Sequence, residues 1–480
     1  MRQHLPILPV VVTLGGALLI PIVALGARRV AAPLACVTAG LAAVTAALAL
    51  ADAVASGPLR YAVGGWASPW GIEVVVDGLS GFVAVAIASV ATVVLTASGP
   101  AVRAGYGPAG PLFYTLALLV LLGLLGMVVS GDLFNVFVFL EVSSIASYAL
   151  VASAGGRALA AAFRYVVLGT VGASFYLLGV GFLYAATGTL NMADVARLAA
   201  GVSASPLLAG GAVFVAVGLA IKMGLFPLHA WLPDAYTHAP APVVSFLAPV
   251  ATKAAAYVLA RSLLQVIGQA DVPVAAAVAW AGGAAVLFGG VMAARQTDAR
   301  RLLAYSSVSQ VGYIAVGLGL GNAPGVAGAY LHILNHALMK AALFVAVGAV
   351  AARGGGVAVG ALGREMPVTA ACAVVAALSM VGVPPAGGFF SKWYLLEGSL
   401  AAGEPVLAAV LLAGSLLGAV YMYRLTERVW FAGAERRERG EAPAPVVAGL
   451  VVLAVASVAV GVASAPIVAR VLGPALPALD

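Results

Sequence analysis

Apolar residues in this chain come in long unbroken runs, not in the short alternations of strands or the three-in-seven stripe of a soluble helix. A helix needs about 20 apolar residues to cross roughly 30 Å of hydrocarbon. Measured by that length, the pattern predicts fourteen membrane spans, near 5–26, 32–55, 75–97, 111–129, 133–152, 162–187, 207–227, 241–265, 272–294, 300–320, 325–350, 368–400, 405–429 and 444–472. The first run, Leu5–Gly26, is read as a span and not as a cleaved signal, because many more spans follow it. The stretch 368–400 is too long for one simple helix and contains Pro384 and Pro385. The intervals near 56–74 and 188–206 read as short caps.

Composition agrees with the pattern. Of 480 residues 63% are hydrophobic and only 9% charged, against about 25% charged in soluble domains. Such a chain cannot cover itself in water, and its length is used up by spans. The formal charge of +7 does not point to nucleic acid, because the arginines sit in loops between apolar runs. Fifteen of them fall in loops after odd-numbered spans and five in the others, a bias that places the odd loops in the cytoplasm and both termini outside. The charge run Glu435–Glu441 then reads as a solvated cytoplasmic loop. Cys36 and Cys372 are isolated, which supports no disulfide, zinc or iron–sulfur role. Gly317, Gly319 and Gly321 end an apolar helix and follow no strand, so they are not a nucleotide loop.

The informative residues are the ionisable ones inside the spans. Each costs about 2.5–3.5 kcal/mol at the bilayer centre. Glu141 lies midway along the fifth span, Lys222 in the seventh, Lys253 in the eighth, His332, His336 and Lys340 in the eleventh, and Lys392 in the second half of the twelfth. Left unpaired, seven such groups would cost on the order of 20 kcal/mol, so they are expected inside the bundle, paired and hydrated. His332, His336 and Lys340 follow at i, i+4 and i+8 on one helix face. Such a column can relay protons or can act as a hydrogen-bonding stripe between helices. Glu141 is either a structural ion-pair partner of a neighbouring lysine or a carboxylate that tunes one.

Two spans look interrupted. The seventh runs into Gly224, Pro227, His229, Trp231 and Pro233, and the twelfth is cut at Gly382–Gly388. Proline frees backbone carbonyls, which is tolerable in a membrane only where protein or water satisfies them. Interrupted segments at matching places in two halves mark an inverted-repeat transporter. Spans 4–8 and 9–13 therefore read as two five-helix units, giving segments 1–110, 111–265, 266–430 and 431–480. Pro227, Pro384, Pro385, Asp234 and His238 are candidates for gating or proton exit, with His229, Asp234 and His238 in the loop after span seven. Their irregular spacing and the lack of a fourth ligand make a metal site unexpected. Ser306, Ser307, Ser309 and Gln310, after Tyr305, line a water path or cap the tenth span. No cofactor-binding motif is present.

Four segments carry a family resemblance: Gly131–Tyr148, Phe226–Pro242, His332–Phe344 and Val383–Trp393. They resemble the signature segments of antiporter-like membrane subunits. That family comprises the D component of Mrp-type multisubunit Na+/H+ antiporters, to which the likeness is closest in detail, the proton-pumping subunits of complex I, and their counterparts in membrane-bound hydrogenases. The resemblance covers nearly the whole chain. It implies an all-α fold of fourteen helices with discontinuous helices 7 and 12. It also implies roles: Glu141 as the key glutamate paired with Lys222, Lys253 as the connecting lysine, His332, His336 and Lys340 as the central polar axis, and Lys392 as the terminal lysine.

The expectation is a proton-translocating subunit that works among other membrane subunits in the cell membrane. It would exchange protons for Na+ or another monovalent cation in an antiporter. The alternatives are a pump subunit of a complex I-like oxidoreductase or hydrogenase, and a non-conducting assembly subunit. Because the sequence stops at Asp480, the long lateral helix of the distal complex I pump subunit is not expected.

Overall fold

The computed structural model describes residues 2–202, 205–269, 272–354, 357–358, 365–431 and 440–476. Arg364 and Glu435–Arg439 lie outside the described residues. Helices follow the apolar runs: α1 (Leu8–Ala24), α2 (Ala31–Ser56), α3 (Gly78–Tyr106), α4 (Gly110–Val129), α5 (Leu133–Ala152), α6 (Arg157–Thr187), α7 (Met192–Ala199), α8 (Pro206–Met223), α9 (Trp231–His238), α10 (Ala241–Gln265), α11 (Val274–Ala294), α12 (Ala299–Leu320), α13 (Ala323–Ala352), α14 (Pro367–Val381), α15 (Gly387–Ala401), α16 (Pro405–Phe431) and α17 (Ala444–Val462). Among the described residues, eleven apolar helical stretches are long enough to cross a membrane. Two of them, Leu8–Ser56 and Gly78–Val129, each contain a pair of successive helices. With α14 and α15 as the two halves of one crossing, every span expected from the sequence has its helix. The chain is a multi-pass membrane protein.

The interval 56–74 is more than a simple cap. It begins a two-stranded antiparallel hairpin, β1 (Leu59–Ala62) with β2 (Glu73–Val76). The Glu73 carbonyl accepts from the Gly131 amide at 2.8 Å, and its carboxylate accepts from the Asn191 side chain at 3.0 Å. Hairpin, α4–α5 turn and the start of α7 thus form one lid over that end of the bundle. Asp77 then caps α3, accepting from the Leu79 and Ser80 amides, and pairs with the largely buried Arg261 of α10.

Helices α4, α5, α6, α8–α9 and α10 form one ring of neighbours, and α11, α12, α13, α14–α15 and α16 form another. In each the first helix packs on the second and on the last. Five is an odd number of crossings, so the second ring starts from the opposite membrane face. Both interrupted spans break at a left-handed glycine, Gly224 (φ 73°) and Gly382 (φ 98°), a conformation glycine adopts without steric penalty.

Two seams of glycine hold the rings tightly. Gly172 and Gly179 on α6 face Gly218 and Gly211 on α8. On the second seam Gly282 of α11 faces Gly312 of α12, while Gly289 packs on the Tyr305–Ser309 backbone of α12 and Gly319 on the Ala275–Ala279 backbone of α11. On each of these helices the two glycines are seven residues apart. A methyl at Gly218 would lie 2.6 Å from the Gly172 carbonyl, and one at Gly312 would lie 2.5 Å from that of Gly282. Small residues let backbones approach where lipid gives no hydrophobic drive for helix pairing.

The structure corrects two local expectations. Asp234 and His238 are not in a loop but in α9. Glu441, the end of the charge run, is not free in solvent: its carboxylate accepts from the Val368 amide and from the Thr369 hydroxyl (2.9 Å) at the start of α14.

Because backbone, not a flexible side chain, faces Gly218, Gly218→Val is expected to destabilise the purified protein by about 1–3 kcal/mol. Gly181→Ala on α6 has open space around the new methyl and is expected to leave the thermal midpoint in detergent unchanged.

Candidate functional site

The buried ionisable residues form two groups. In the first, Lys222 sits in the last turn of α8, where helix carbonyls favour a cation. Its Nζ donates to Ser144 Oγ at 2.8 Å and to Tyr148 Oη at 3.4 Å, and lies 3.4 Å from Glu141 Oε1. The Lys222 side chain is 8% exposed and that of Glu141 28%, so the carboxylate opens on the outer surface of the bundle while its partner faces inward.

The second group spans α10, α12, α13 and α15. Lys253 donates to the Ala248 carbonyl at 2.7 Å and to Thr252 Oγ1 at 3.2 Å. Its helix α10 packs on α13, which carries His332, His336 and Lys340. His332 is held on both sides, by Ser391 Oγ at Nδ1 (2.9 Å) and by Gln310 Oε1 at Nε2 (3.0 Å). Gln310 in turn donates to Tyr421 Oη at 3.3 Å, which turns its carbonyl oxygen toward the imidazole. Accepting from Nε2–H, Gln310 leaves Nδ1 to receive the serine hydroxyl proton.

His336 stacks on His332 with ring centroids 6.2 Å apart. It is fully buried, and neither ring nitrogen has a hydrogen-bond partner among the described residues. Lys340 donates to the Leu303 carbonyl at 2.8 Å and to Ser306 Oγ.

Lys392 shows what the break in the twelfth span is for. Where α14 stops, the Met380 and Val381 carbonyls lose their helical partners. Lys392 Nζ, from α15, donates to them at 2.8 and 3.1 Å and stands 4.7 Å above the Tyr313 ring. At the matching break the Trp231 indole donates to Ile221 O at 2.8 Å. Each open helix end is thus closed by a donor from the next segment, and in the second ring that donor is ionisable.

The structure brings Ser306 and Gln310 to this axis. Ser306 donates to the Leu303 carbonyl (2.9 Å) as well as accepting from Lys340, whereas Ser307 and Ser309 donate to the carbonyls of Leu303 (3.0 Å) and Val286 (3.0 Å) and bond no lysine among the described residues. Asp234 pairs with Arg164 and lies 4.0 Å from Arg301, joining α9 to the starts of α6 and α12. His238 ends α9, and Pro227, Pro384 and Pro385 lie in the two breaks. Among the described residues no hydrogen bond joins Lys222 to Lys253. Between the groups run aromatic rings to which the residue pattern assigned no joint role. Tyr148 packs on Tyr165 at 4.6 Å, Tyr165 stacks on Trp231 at 4.1 Å, and Tyr236 follows at 6.2 Å. Asn335, which donates to Gly387 O at 2.7 Å, was equally unmarked; its place beside His336 was the available signal.

A helical bundle with an ion pair at one edge and a run of buried lysines and histidines through its middle defines an antiporter-like membrane subunit. The chain belongs to the family described as NADH:quinone oxidoreductase/Mrp antiporter, TM, whose model matches residues 130–418. It is 45% identical to NADH-quinone oxidoreductase subunit N of Desulforudis audaxviator, over 99% of each chain. It is 33% identical to the D component of the Na(+)/H(+) antiporter of Alkalihalophilus pseudofirmus, over 78% of this chain and 76% of that one. Among solved structures it resembles a chain of the membrane-bound sulfane sulfur reductase, an archaeal respiratory membrane complex. That match has a TM-score of 0.90 and 32% identity, and covers 98% of this chain and 97% of the other. These relatives are subunits of multisubunit membrane complexes.

Gln310→Leu removes the acceptor of His332 Nε2–H and strands a buried donor. It is expected to lower stability by about 1–3 kcal/mol, read as a fall in the thermal midpoint of the purified protein.

Proposed function

We propose that this chain carries protons across the membrane along its buried glutamate, lysines and histidines, as one subunit of a larger complex. The observation that carries this reading is that Lys253, Lys340 and Lys392 donate only to carbonyls and hydroxyls among the described residues. A structural lysine gains most from a fixed carboxylate, whereas a lysine held by neutral acceptors can take up or release its proton without stranding a buried anion. Glu141 and Lys222 act as the charge switch at the outer edge. Lys253, His332, His336 and Lys340 form the route through the middle, and Lys392 is the terminal site. The units 111–265 and 266–430 each contribute part of that route. Asp234, His238 and the prolines of the two breaks serve gating or exit.

Two drivers have support. Identity of 45% over the full length of an NADH-quinone oxidoreductase subunit N favours a redox-driven complex. The antiporter relative at 33% identity favours exchange of protons for Na+ or another monovalent cation. In either case the chain's partners are other membrane subunits. The reading with both termini outside the cytoplasm rests on the arginine distribution alone.

The native complex, purified through a tag on this chain, distinguishes the drivers by its optical spectrum and by iron and flavin assay. Stoichiometric iron or flavin is expected of the redox complex, and a colourless complex of hydrophobic subunits indicates the antiporter. In vesicles, Glu141→Gln and Lys222→Ala are each expected to abolish most proton transport while the complex still assembles. Full transport in both variants would contradict the proposed switch and favour a non-conducting assembly role.

A further inference from the structure

A cavity of about 270 Å³ opens where the end of α3, the start of α10, the end of α13 and the start of α17 meet. It lies outside the two groups described above. Ser98, Ser245, Gly348, Ala349, Arg353 and Pro443 are among its lining residues. It has room for several waters at about 30 Å³ each. Most of the lining is small and apolar, as in a site that could hold lipid, but two details favour water. Ser98 and Ser245 are 5% and 3% exposed, and neither hydroxyl has a hydrogen-bond partner among the described residues. Buried hydroxyls are almost always satisfied, and here the cavity is the side from which a partner can come. Arg353 stands at the mouth, on the arginine-bearing face that the sequence assigns to the cytoplasm.

The helices then decide which lysine the cavity serves. Side chains on a helix lean toward its N-terminus. On α10 that direction is toward the cavity, because the helix begins there. Lys253 accordingly reaches back to the Ala248 carbonyl, three residues or about 4.5 Å along the axis from Ser245. Helix α13 runs the opposite way and ends at the cavity. Lys340 leans away from it, to Leu303 and Ser306 of α12.

We infer that this cavity is a water-filled inlet from the arginine-rich face, and that Lys253 is the first buried group it supplies. In that step an O–H bond of inlet water breaks as an N–H bond forms on the free Nζ amine, and bulk water replaces the proton. The inference rests on the proton-transport reading above and adds the place of entry.

The test uses the whole complex in vesicles of known orientation, with Cys36 and Cys372 replaced by serine and Ala349→Cys introduced. Proton transport is measured before and after a charged, membrane-impermeant methanethiosulfonate is applied to each face. The expected result is labelling from the arginine-rich face alone, with loss of most of the transport present beforehand. The same label on an Ala27→Cys complex, in an exposed loop of that face, is expected to leave transport intact. Labelling of Ala349→Cys without loss of transport overturns the inference. So does labelling from the opposite face, or reaction only with a membrane-soluble maleimide, which means lipid fills the cavity. A complex with its natural alanine that moves no protons instead defeats the transport reading itself, and the inlet falls with it.

Discussion

An ionisable side chain inside a membrane bundle must find polar partners within the protein or from water, and the fold is organised around four lysines under that constraint. Lys222 takes a carboxylate, a serine and a tyrosine. The other three take backbone carbonyls and hydroxyls. Carbonyl oxygens are scarce in a membrane because intact helices use them all. One interrupted span supplies them by stopping: Met380 and Val381 at the end of α14 accept from Lys392. The break is therefore a source of ligands for a cation as well as a point of weakness. Its counterpart at Gly224 is closed by the neutral Trp231 indole, while Lys222 sits two residues earlier on the same helix. The two rings thus use the same backbone device with a different donor.

Holding such groups in register requires a rigid frame, and glycine provides it. Along α6–α8 and α11–α12 the backbones approach so closely that an added methyl would meet a carbonyl. Those seams fix the helices that carry Lys222 and the Ser306–Gln310 polar face. The central helices α10 and α13, nearly all buried, pack on each other where the two rings meet and carry the middle of the charge axis. The outer lid ties to that middle through the Asp77–Arg261 pair.

Much of this was legible in the sequence because membrane spans are set by length and hydrophobicity, quantities a single chain displays. The broken spans were legible because proline and glycine act locally. The buried charges stood out because each is improbable in an apolar run. Partners were harder to read. Nothing in the spacing of Ser391, Tyr421 or Asn335 says that they meet His332, Gln310 and Gly387, since those contacts cross 52 to 111 residues of sequence. Ser306, Ser307 and Ser309 looked equivalent and all donate to backbone carbonyls, but of the three Ser306 is the one that also accepts from Lys340. The glycine seams were hidden in a composition of 58 glycines, because only packing separates those that touch a neighbour from those that face open space. The hairpin at 59–76 escaped the span ruler, which registers only long apolar runs.

The central claim is that the buried charges are linked by water into one proton route, and His336 is where it is most exposed to test. Its two ring nitrogens lie in the middle of the axis without protein partners among the described residues. A cryo-electron microscopy map of the intact complex that resolves ordered water tests this directly. The account predicts waters within hydrogen-bond distance of both His336 nitrogens, continuing toward Lys253 and Lys340. A dry, tightly packed imidazole with no water between those lysines would contradict it.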